Sequence, residues 1–340
     1  MISTVLINVS NHFLNMNKTY SPVKKIIKVT KQSGIPLVGT IYFGIMDRNT
    51  SIIEVRPTTL CNINCTFCSV AAGPKSTYET NFVVEKSYLV EELKKLLDFK
   101  EEPMDIWINP QGDPTVYPEL EQLIADIRKL KHVREIIIVT NGMLLTKEKI
   151  DAYKKAGLTQ ISLSIQAFSL ENAKKLADLP GYNIEKIKDL CPYIAKNLRL
   201  VLTPVYLKNH NEEDIEQIVK FATEINAEVS IQNFQRNRRG RNPTSELSWK
   251  KFAAKLKEME QKYSIDLLKT GKIKRTRILP KVAKKGQIIT VNLVCDSKFK
   301  EEKIAVYQDK CIVVYGSKHF GMTKIKILKA SNNLYYGKAI

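Results

Sequence analysis

The sequence predicts an α/β fold with six strand–helix units over one parallel sheet, a β-rich extension before it and a small all-β barrel after it. Three observations predict this. Apolar strand-like runs alternate strictly with segments of helical periodicity between residues 51 and 235, the pattern of a parallel sheet. Apolar runs broken by Gly, Pro, Asn and Asp precede them, which are hairpin signals. After residue 280 the texture changes to five short strands separated by turns within about sixty residues.

In chain order, residues 1–50 form the β-rich extension. It contains an apolar run at 24–29, a break at Ser33-Gly34-Ile35-Pro36, a second run at 37–45 and a turn at Asp47-Arg48-Asn49. It is expected to cover one end of the next domain. That domain spans 51–240, with strands at 52–56, 105–109, 135–140, 160–165, 198–203 and 228–232. Helices are expected at 85–99, 118–130, 146–155, 171–178 and 212–225. In the second of these, Leu120, Leu123, Ile124 and Ile127 recur at helical spacing and make one apolar face. Pro118 at its start and Gly157 after the third helix are suitable punctuation. Six units are too few to close an eight-stranded barrel. Residues 241–279 form a helix (245–262) and a basic connector carrying Lys269, Lys272, Lys274, Arg275 and Arg277. Residues 280–340 supply strands at 286–293, 303–307, 311–316, 322–328 and 334–339, enough for a small barrel.

The composition is that of a globular chain able to bury a core, with 44% hydrophobic residues and a mean hydropathy of −0.21. The first twenty residues are mildly apolar but interrupted by Asn, His and Lys, so no signal peptide is expected. No run approaches the length of a membrane span, and a cytoplasmic location without a membrane partner is expected. The net charge of +19 is unevenly placed. Residues 236–340 carry 26 Lys+Arg against 8 Asp+Glu, whereas residues 1–235 carry 28 against 27. A lysine-rich solvated surface explains many lysines. It does not explain the scarcity of carboxylates in one region, which points to an acidic polymer.

Cys61, Cys65 and Cys68 stand in CNINCTFC directly after the first strand of the alternating region. Three thiolates on one tight loop can hold three irons of a [4Fe–4S] cube and leave the fourth iron open. Structural zinc takes four closed ligands, usually as two close pairs, and no second pair follows. A disulfide framework belongs to small domains in oxidising compartments. The CxxxCxxC pattern resembles that of the radical S-adenosylmethionine (SAM) superfamily. The resemblance covers about residues 50–235. It implies a partial (β/α)6 barrel, a [4Fe–4S] cluster and SAM as cofactors, and reductive splitting of SAM to a 5′-deoxyadenosyl radical. It also implies a one-electron donor such as ferredoxin or flavodoxin, and it places Phe67 near the SAM adenine.

Further motifs fall at strand ends, where chemistry sits in such barrels. Asn109-Pro110-Gln111-Gly112-Asp113-Pro114 ends the second strand. It resembles the family's GGEP motif, with Gln111 in place of the first Gly and Asp113 in place of Glu. The resemblance implies that Gly112 and Asp113 help hold the amino group of SAM. Thr140-Asn141-Gly142 ends the third strand, and Asn-Gly is equally a turn signal, so Asn141 is open to both readings. On the fourth strand, alternation sends Ser162, Ser164 and Gln166 to one face, and Ser164 aligns with the family's strand-four serine. Thr203, Gln232 and Asn233 are weaker candidates for contacts to SAM, and Gln232 is retained as a cofactor-binding residue.

The loop holding Arg236, Arg238, Arg239 and Arg241 suits phosphates, which guanidinium binds bidentately. With Lys274, Arg275 and Arg277 these are the candidate RNA-binding residues. The segment 280–340 resembles a TRAM domain, an OB-like RNA-binding module, through KKGQIITV, VYG, TKIKI and YYGKA. RNA, tRNA foremost, is therefore the expected partner and substrate. The alternative is a small molecule or protein side chain, with the barrel as a docking module. Cys191, expected between helix and strand, and Cys295 and Cys311, on barrel strands, are too widely spaced for an evident second cluster. The four histidines form no ligand pair.

Overall fold

The computed structural model describes residues 24–268, 271 and 273–340. The first 23 residues of the N-terminal extension and Lys269 and Lys272 of the connector lie outside the described residues. Strands β1 (Lys25–Val29) and β2 (Gly44–Asp47) come first, then β3 (Ile52–Arg56) and β4 (Thr80–Val84). Next are α1 (Lys86–Lys100), β5 (Met104–Ile108), α2 (Leu120–Arg128), β6 (Val133–Thr140) and α3 (Lys147–Ala156). The alternation continues with β7 (Gln160–Leu163), α4 (Leu170–Ala177), α5 (Ile184–Asn197), β8 (Arg199–Leu202) and β9 (Val205–Tyr206). It ends with α6 (Glu212–Glu224), β10 (Glu228–Val229) and β11 (Gln232–Asn233).

The main sheet has the order β10-β8-β7-β6-β5-β3-β2. Its neighbours from β3 to β10 pair in parallel, and β2 joins antiparallel to β3 through a hairpin. The six predicted parallel strands are therefore all present, in an open sheet. The helices cover it with apolar faces; Leu120, Leu123, Ile124 and Ile127 of α2 are all buried. Thr146, Ser169 and Asn183 cap α3, α4 and α5 by accepting backbone N–H bonds, which satisfies donors that a helix start leaves orphaned.

Two expectations need correction. The apolar run at 37–45 is strand only from Gly44, and β2 belongs to the main sheet. Residues 37–43 form an irregular, bent segment instead, in which two backbone carbonyls are taken by the C-terminal barrel: Val38 O accepts from Cys311 N at 2.7 Å and Gly39 O from Tyr335 N at 3.1 Å. A Cβ at Gly39 would lie 2.1 Å from Cys311 O, so only glycine permits this approach. Cys191 lies inside α5, fully buried, not between elements. Pro192 beside it obscures the helix in the sequence, since proline removes one helical donor.

After α7 (Trp249–Tyr263), strands β12 (Ile288–Asp296), β13 (Glu302–Tyr307), β14 (Lys310–Tyr315), β15 (Gly321–Ser331) and β16 (Leu334–Ala339) close a barrel in the order β12-β13-β14-β16-β15. The barrel is docked firmly. Cys295, Ile304, Cys311 and Val313 share the main hydrophobic core, while Val291, Ile312, Ile325 and Tyr335 belong to the barrel's own. Asn333 Nδ2 donates to Asp47 O at 2.9 Å, next to the fully buried Lys100–Asp47 ion pair. Among the described residues no helix is long and apolar enough to cross a membrane.

Candidate active site

The three cysteines lie between β3 and β4, beyond the carboxyl end of the first parallel strand. Backbone bonds from Asn64 N to Ala177 O (3.0 Å) and Thr66 N to Leu176 O (2.8 Å) tie their loop to the end of α4. Arg241 clamps it from outside: its guanidinium donates to Cys65 O and Ala72 O, each at 2.8 Å, and its backbone N–H to Cys68 O at 2.9 Å. All three thiols are free and line one cavity of about 850 Å³ at the carboxyl end of the sheet. Among the described residues no three His, Cys, Asp or Glu side chains converge on a single ion. In a cluster, by contrast, each thiolate takes its own iron, and three thiols spread along the wall of a wide cavity suit that group. Burial pushes the Cys61 thiol up to about 12, with the Asp113 carboxylate adding to the effect, and raises Cys65 well above the usual thiol range. Metal must therefore displace protons from neutral thiols on loading.

The GGEP-like turn packs directly on this loop. Asp113 N donates to Leu60 O at 2.8 Å, and a Cβ on Gly112 would fall 1.7 Å from the same oxygen. The buried Asp113 carboxylate accepts from Thr115 N (2.9 Å), Thr115 Oγ1 (2.5 Å), Thr140 Oγ1 (2.9 Å) and Asn141 N (2.8 Å). Burial raises its pKa, against the pull of these hydrogen bonds. Its side chain thus joins the ends of β5 and β6. Asn141 Nδ2 donates to Asn62 Oδ1 at 2.8 Å, linking the end of β6 to the cysteine loop.

The other candidates are arranged around the cavity. Phe67, Ser164, Gln166, Thr203, Gln232 and Asn233 all line it. Ser164 Oγ and Thr203 Oγ1 are 3.4 Å apart. Ser162 sits deeper, where it accepts from Gln160 Nε2 at 2.9 Å. Asn233 Nδ2 is held by Leu247 O at 2.8 Å, while its Oδ1 is buried without a hydrogen-bond partner. An orphaned acceptor on the wall of a cavity is costly unless a ligand satisfies it. Together with the thiols, it makes the cavity fit a cluster and a polar cofactor.

The structure separates the basic candidates. Arg236 and Arg238 are exposed beside the cavity mouth. Arg239 turns inward, pairs with the buried Glu302 of β13 and stacks on Phe299 with its guanidinium 3.9 Å from the ring centroid. Arg241 clamps the cysteine loop as described. Lys274, Arg275 and Arg277 run past the amino end of the sheet, where Lys274 O accepts from Ser51 N at 2.9 Å and Arg277 lies over Phe99. The two basic groups therefore lie at opposite ends of the sheet.

Two residues near the site had no signal in the local sequence. Trp249 opens α7, 63% exposed, at the edge of the cavity. Lys298 reaches in from the turn after β12, wholly buried, and donates to Gln111 Oε1 at 2.9 Å. Burial lowers its pKa to about 7; Arg56 and Lys24 act in the same direction, and Cys68 and Cys61 act against it.

A family profile described as the Radical SAM superfamily matches residues 55–222. An uncharacterised protein of Methanocaldococcus jannaschii is 30% identical over 361 residues, covering 95% of this chain and 83% of that protein. A GTP 3′,8-cyclase of Aquifex aeolicus is 27% identical over 182 residues, and the match spans 52% of this chain and 54% of the cyclase. Among solved structures, Streptococcus suis SuiB bound to S-adenosylmethionine aligns at a TM-score of 0.52 and 17% identity, covering 71% of this chain and 52% of SuiB. That last likeness is one of fold.

Proposed function

The chain belongs to the radical SAM superfamily, and from that premise we propose that it is an enzyme that modifies a structured RNA, with tRNA the foremost candidate. One observation carries the RNA part of this reading. On the outer face of the C-terminal barrel, formed by β12, β15 and β16, β15 carries Lys324 and Lys326 and β16 carries Lys338, with Lys326 and Lys338 directly opposite one another. The exposed apolar side chains of Ile288, Met322 and Ile340 lie among them. These strands place no carboxylate on that face. Asp296, at the end of β12, pairs instead with Lys25 and Lys303, and Glu302 of β13 is buried against Arg239. A basic, carboxylate-free β surface with interleaved apolar groups suits a nucleic-acid backbone and its bases. Arg236 and Arg238 extend positive charge to the cavity mouth.

When bound, the cluster supplies the electron that splits SAM and yields the adenosyl radical for hydrogen abstraction. The chain's own residues do the positioning. Cys61, Cys65 and Cys68 would hold three irons. The Gly112 turn lets backbone line the cavity tight against Leu60 at the start of the cysteine loop, and Asn141, Ser164, Thr203, Gln232 and Asn233 would offer polar contacts along the cavity wall. An electron donor of ferredoxin or flavodoxin type would complete the system. A second reading, in which the substrate is a small molecule such as a nucleotide, is favoured by the similarity to GTP 3′,8-cyclase.

The test is to reconstitute the protein anaerobically and incubate it with SAM, dithionite and tRNA from a strain lacking the gene. We expect 5′-deoxyadenosine formation stimulated by the tRNA and a new nucleoside mass in the digest. SAM cleavage unaffected by RNA, with no altered nucleoside, would overturn the RNA reading in favour of the small-molecule one.

A further inference from the structure

Among the described residues three lysines are buried, and one differs from the other two. Lys100 pairs with Asp47 at 2.7 Å and Lys310 with Asp309 at 3.0 Å. Lys298 is 0% exposed and has no carboxylate within ion-pair reach. Its Nζ has one neutral acceptor, Gln111 Oε1 at 2.9 Å, and lies 4.1 Å from the centroid of the Tyr78 ring. The turn that carries it is fixed in place: Phe299 packs edge-on against Tyr42 and Tyr78, each at 6.1 Å, and Arg239 covers its face. A buried ammonium group without a counter-ion is strongly unfavourable, and a leucine or methionine would fill the same space without that cost. The one acceptor of Lys298, Gln111, lines the same cavity as Cys61, Cys65 and Cys68.

We propose that Lys298 is the counter-charge of the iron–sulfur cluster, a positioning residue that the C-terminal barrel contributes to the active site of the α/β domain. A [4Fe–4S] cluster held by three thiolates is anionic, and one-electron reduction adds a further negative charge. A fixed cation beside it stabilises the reduced form, since net charge and hydrogen bonding tune cluster potential. Through Gln111 the same ammonium group steadies the turn whose Gly112 backbone closes on Leu60. The barrel is then part of the redox centre as well as a docking surface. This inference rests on the family's cluster and is independent of the RNA reading.

The experiment uses the full-length protein, reconstituted anaerobically, with iron content, circular dichroism and an EPR-monitored dithionite titration as readouts. Wild-type iron content and EPR signal establish the cluster first, so failure of the cluster assignment is seen separately. We expect K298M to load iron and to shift the midpoint to a more negative potential, with K298R and the exposed-residue control K300M close to wild type. If K298M folds but does not load, K298Q, which keeps a donor for Gln111, separates charge from packing. Iron-free K298Q beside loaded K298R supports the proposal. A wild-type midpoint in loaded K298M or K298Q overturns it. So does loss of iron in all three Lys298 variants, which would indicate packing, or unfolding of apo K298Q, which would show the charge serving the fold without the cluster.

Discussion

Gly112 and Leu60 are in such close backbone contact that a methyl group on the former would sit 1.7 Å from the carbonyl oxygen of the latter. The contact joins the GGEP-like turn to the cysteine loop, and the Asp113 N–H to Leu60 O bond of 2.8 Å reinforces it. Neither partner is a flexible side-chain end, so Gly112→Ala has to move one loop or the other. We expect G112A to fold, because the sheet beneath is unaffected, but to lose SAM binding by at least about tenfold, as misplacement of about 1 Å at a site can cost more than that. Equilibrium dialysis with labelled SAM on the reconstituted variant measures it. Wild-type affinity would show that the turn plays no part in holding SAM.

Arg241 and Arg238 are three residues apart, and they predict different phenotypes. Arg241 donates to Cys65 O and Ala72 O, whereas Arg238 is exposed. Arg241→Ala leaves buried carbonyls unpartnered and is expected to cost about 2 kcal/mol and to lower iron per chain. Arg238→Ala is expected to leave iron content unchanged and to weaken tRNA binding. Iron assay and filter binding on both variants distinguish the roles; equal iron loss in both would reject the assignment.

The contrast shows what a sequence can carry. Strand and helix periodicities are local, so the six parallel strands, the five barrel strands and the cysteine loop could all be read from neighbouring residues. The polar residues facing the cavity were legible for the same reason, as strand alternation and strand ends place Ser164, Gln166 and Gln232. What a guanidinium or ammonium group meets across the fold is not local. RNRRGR reads as a uniform phosphate-binding loop, yet Arg239 is drawn to Glu302 and Arg241 to the cysteine loop's carbonyls. Leu37 to Phe43 has strand-like composition, but its Val38 and Gly39 carbonyls accept from Cys311 N and Tyr335 N, far along the chain. Lys298 belongs to a different domain from the cysteines it approaches, and no spacing rule connects them.

Lys100 and Asp47 form a fully enclosed ion pair at 2.7 Å, with Asn333 and Thr276 completing the hydrogen bonds. Removing one partner strands the other charge in the interior. Lys100→Met is therefore expected to destabilise the protein by about 3–5 kcal/mol. The double substitution K100M/D47L should recover much of the loss, because it removes the charge left unpaired. Urea denaturation of the four proteins of the cycle gives the coupling; simple additivity would contradict it.

Asp296 fastens the barrel to β1 through Lys25 at 2.8 Å and also pairs with Lys303. Partial burial acts to raise its carboxyl pKa, but hydrogen bonds from Lys25 and Lys303 outweigh it and hold the value below the usual range. A depressed folded-state pKa adds stability above the unfolded value of about 4 and loses it as pH falls through the lower folded value. Asp296→Asn should lower stability at neutral pH and flatten its fall in acid. Melting curves between pH 7 and the acid limb test this, and parallel pH profiles for wild type and D296N would count against it.

Lys324, Lys326 and Lys338 occupy adjacent strands on the outer face of the barrel, with Lys326 directly opposite Lys338. Each phosphate contact releases condensed counterions, so log affinity falls with log salt in proportion to the number of contacts. Replacing all three with alanine should weaken tRNA binding and reduce the salt slope by about 3, roughly one per lysine. Their side chains point to solvent, so fold and iron content should not change. Lys274 and Arg277, at the opposite end of the sheet from the cavity, should affect the slope less when replaced. Titrations of tRNA at several salt concentrations decide the matter. An unchanged slope in the triple variant would remove this face from the RNA-binding surface and return the barrel to a role within the redox centre.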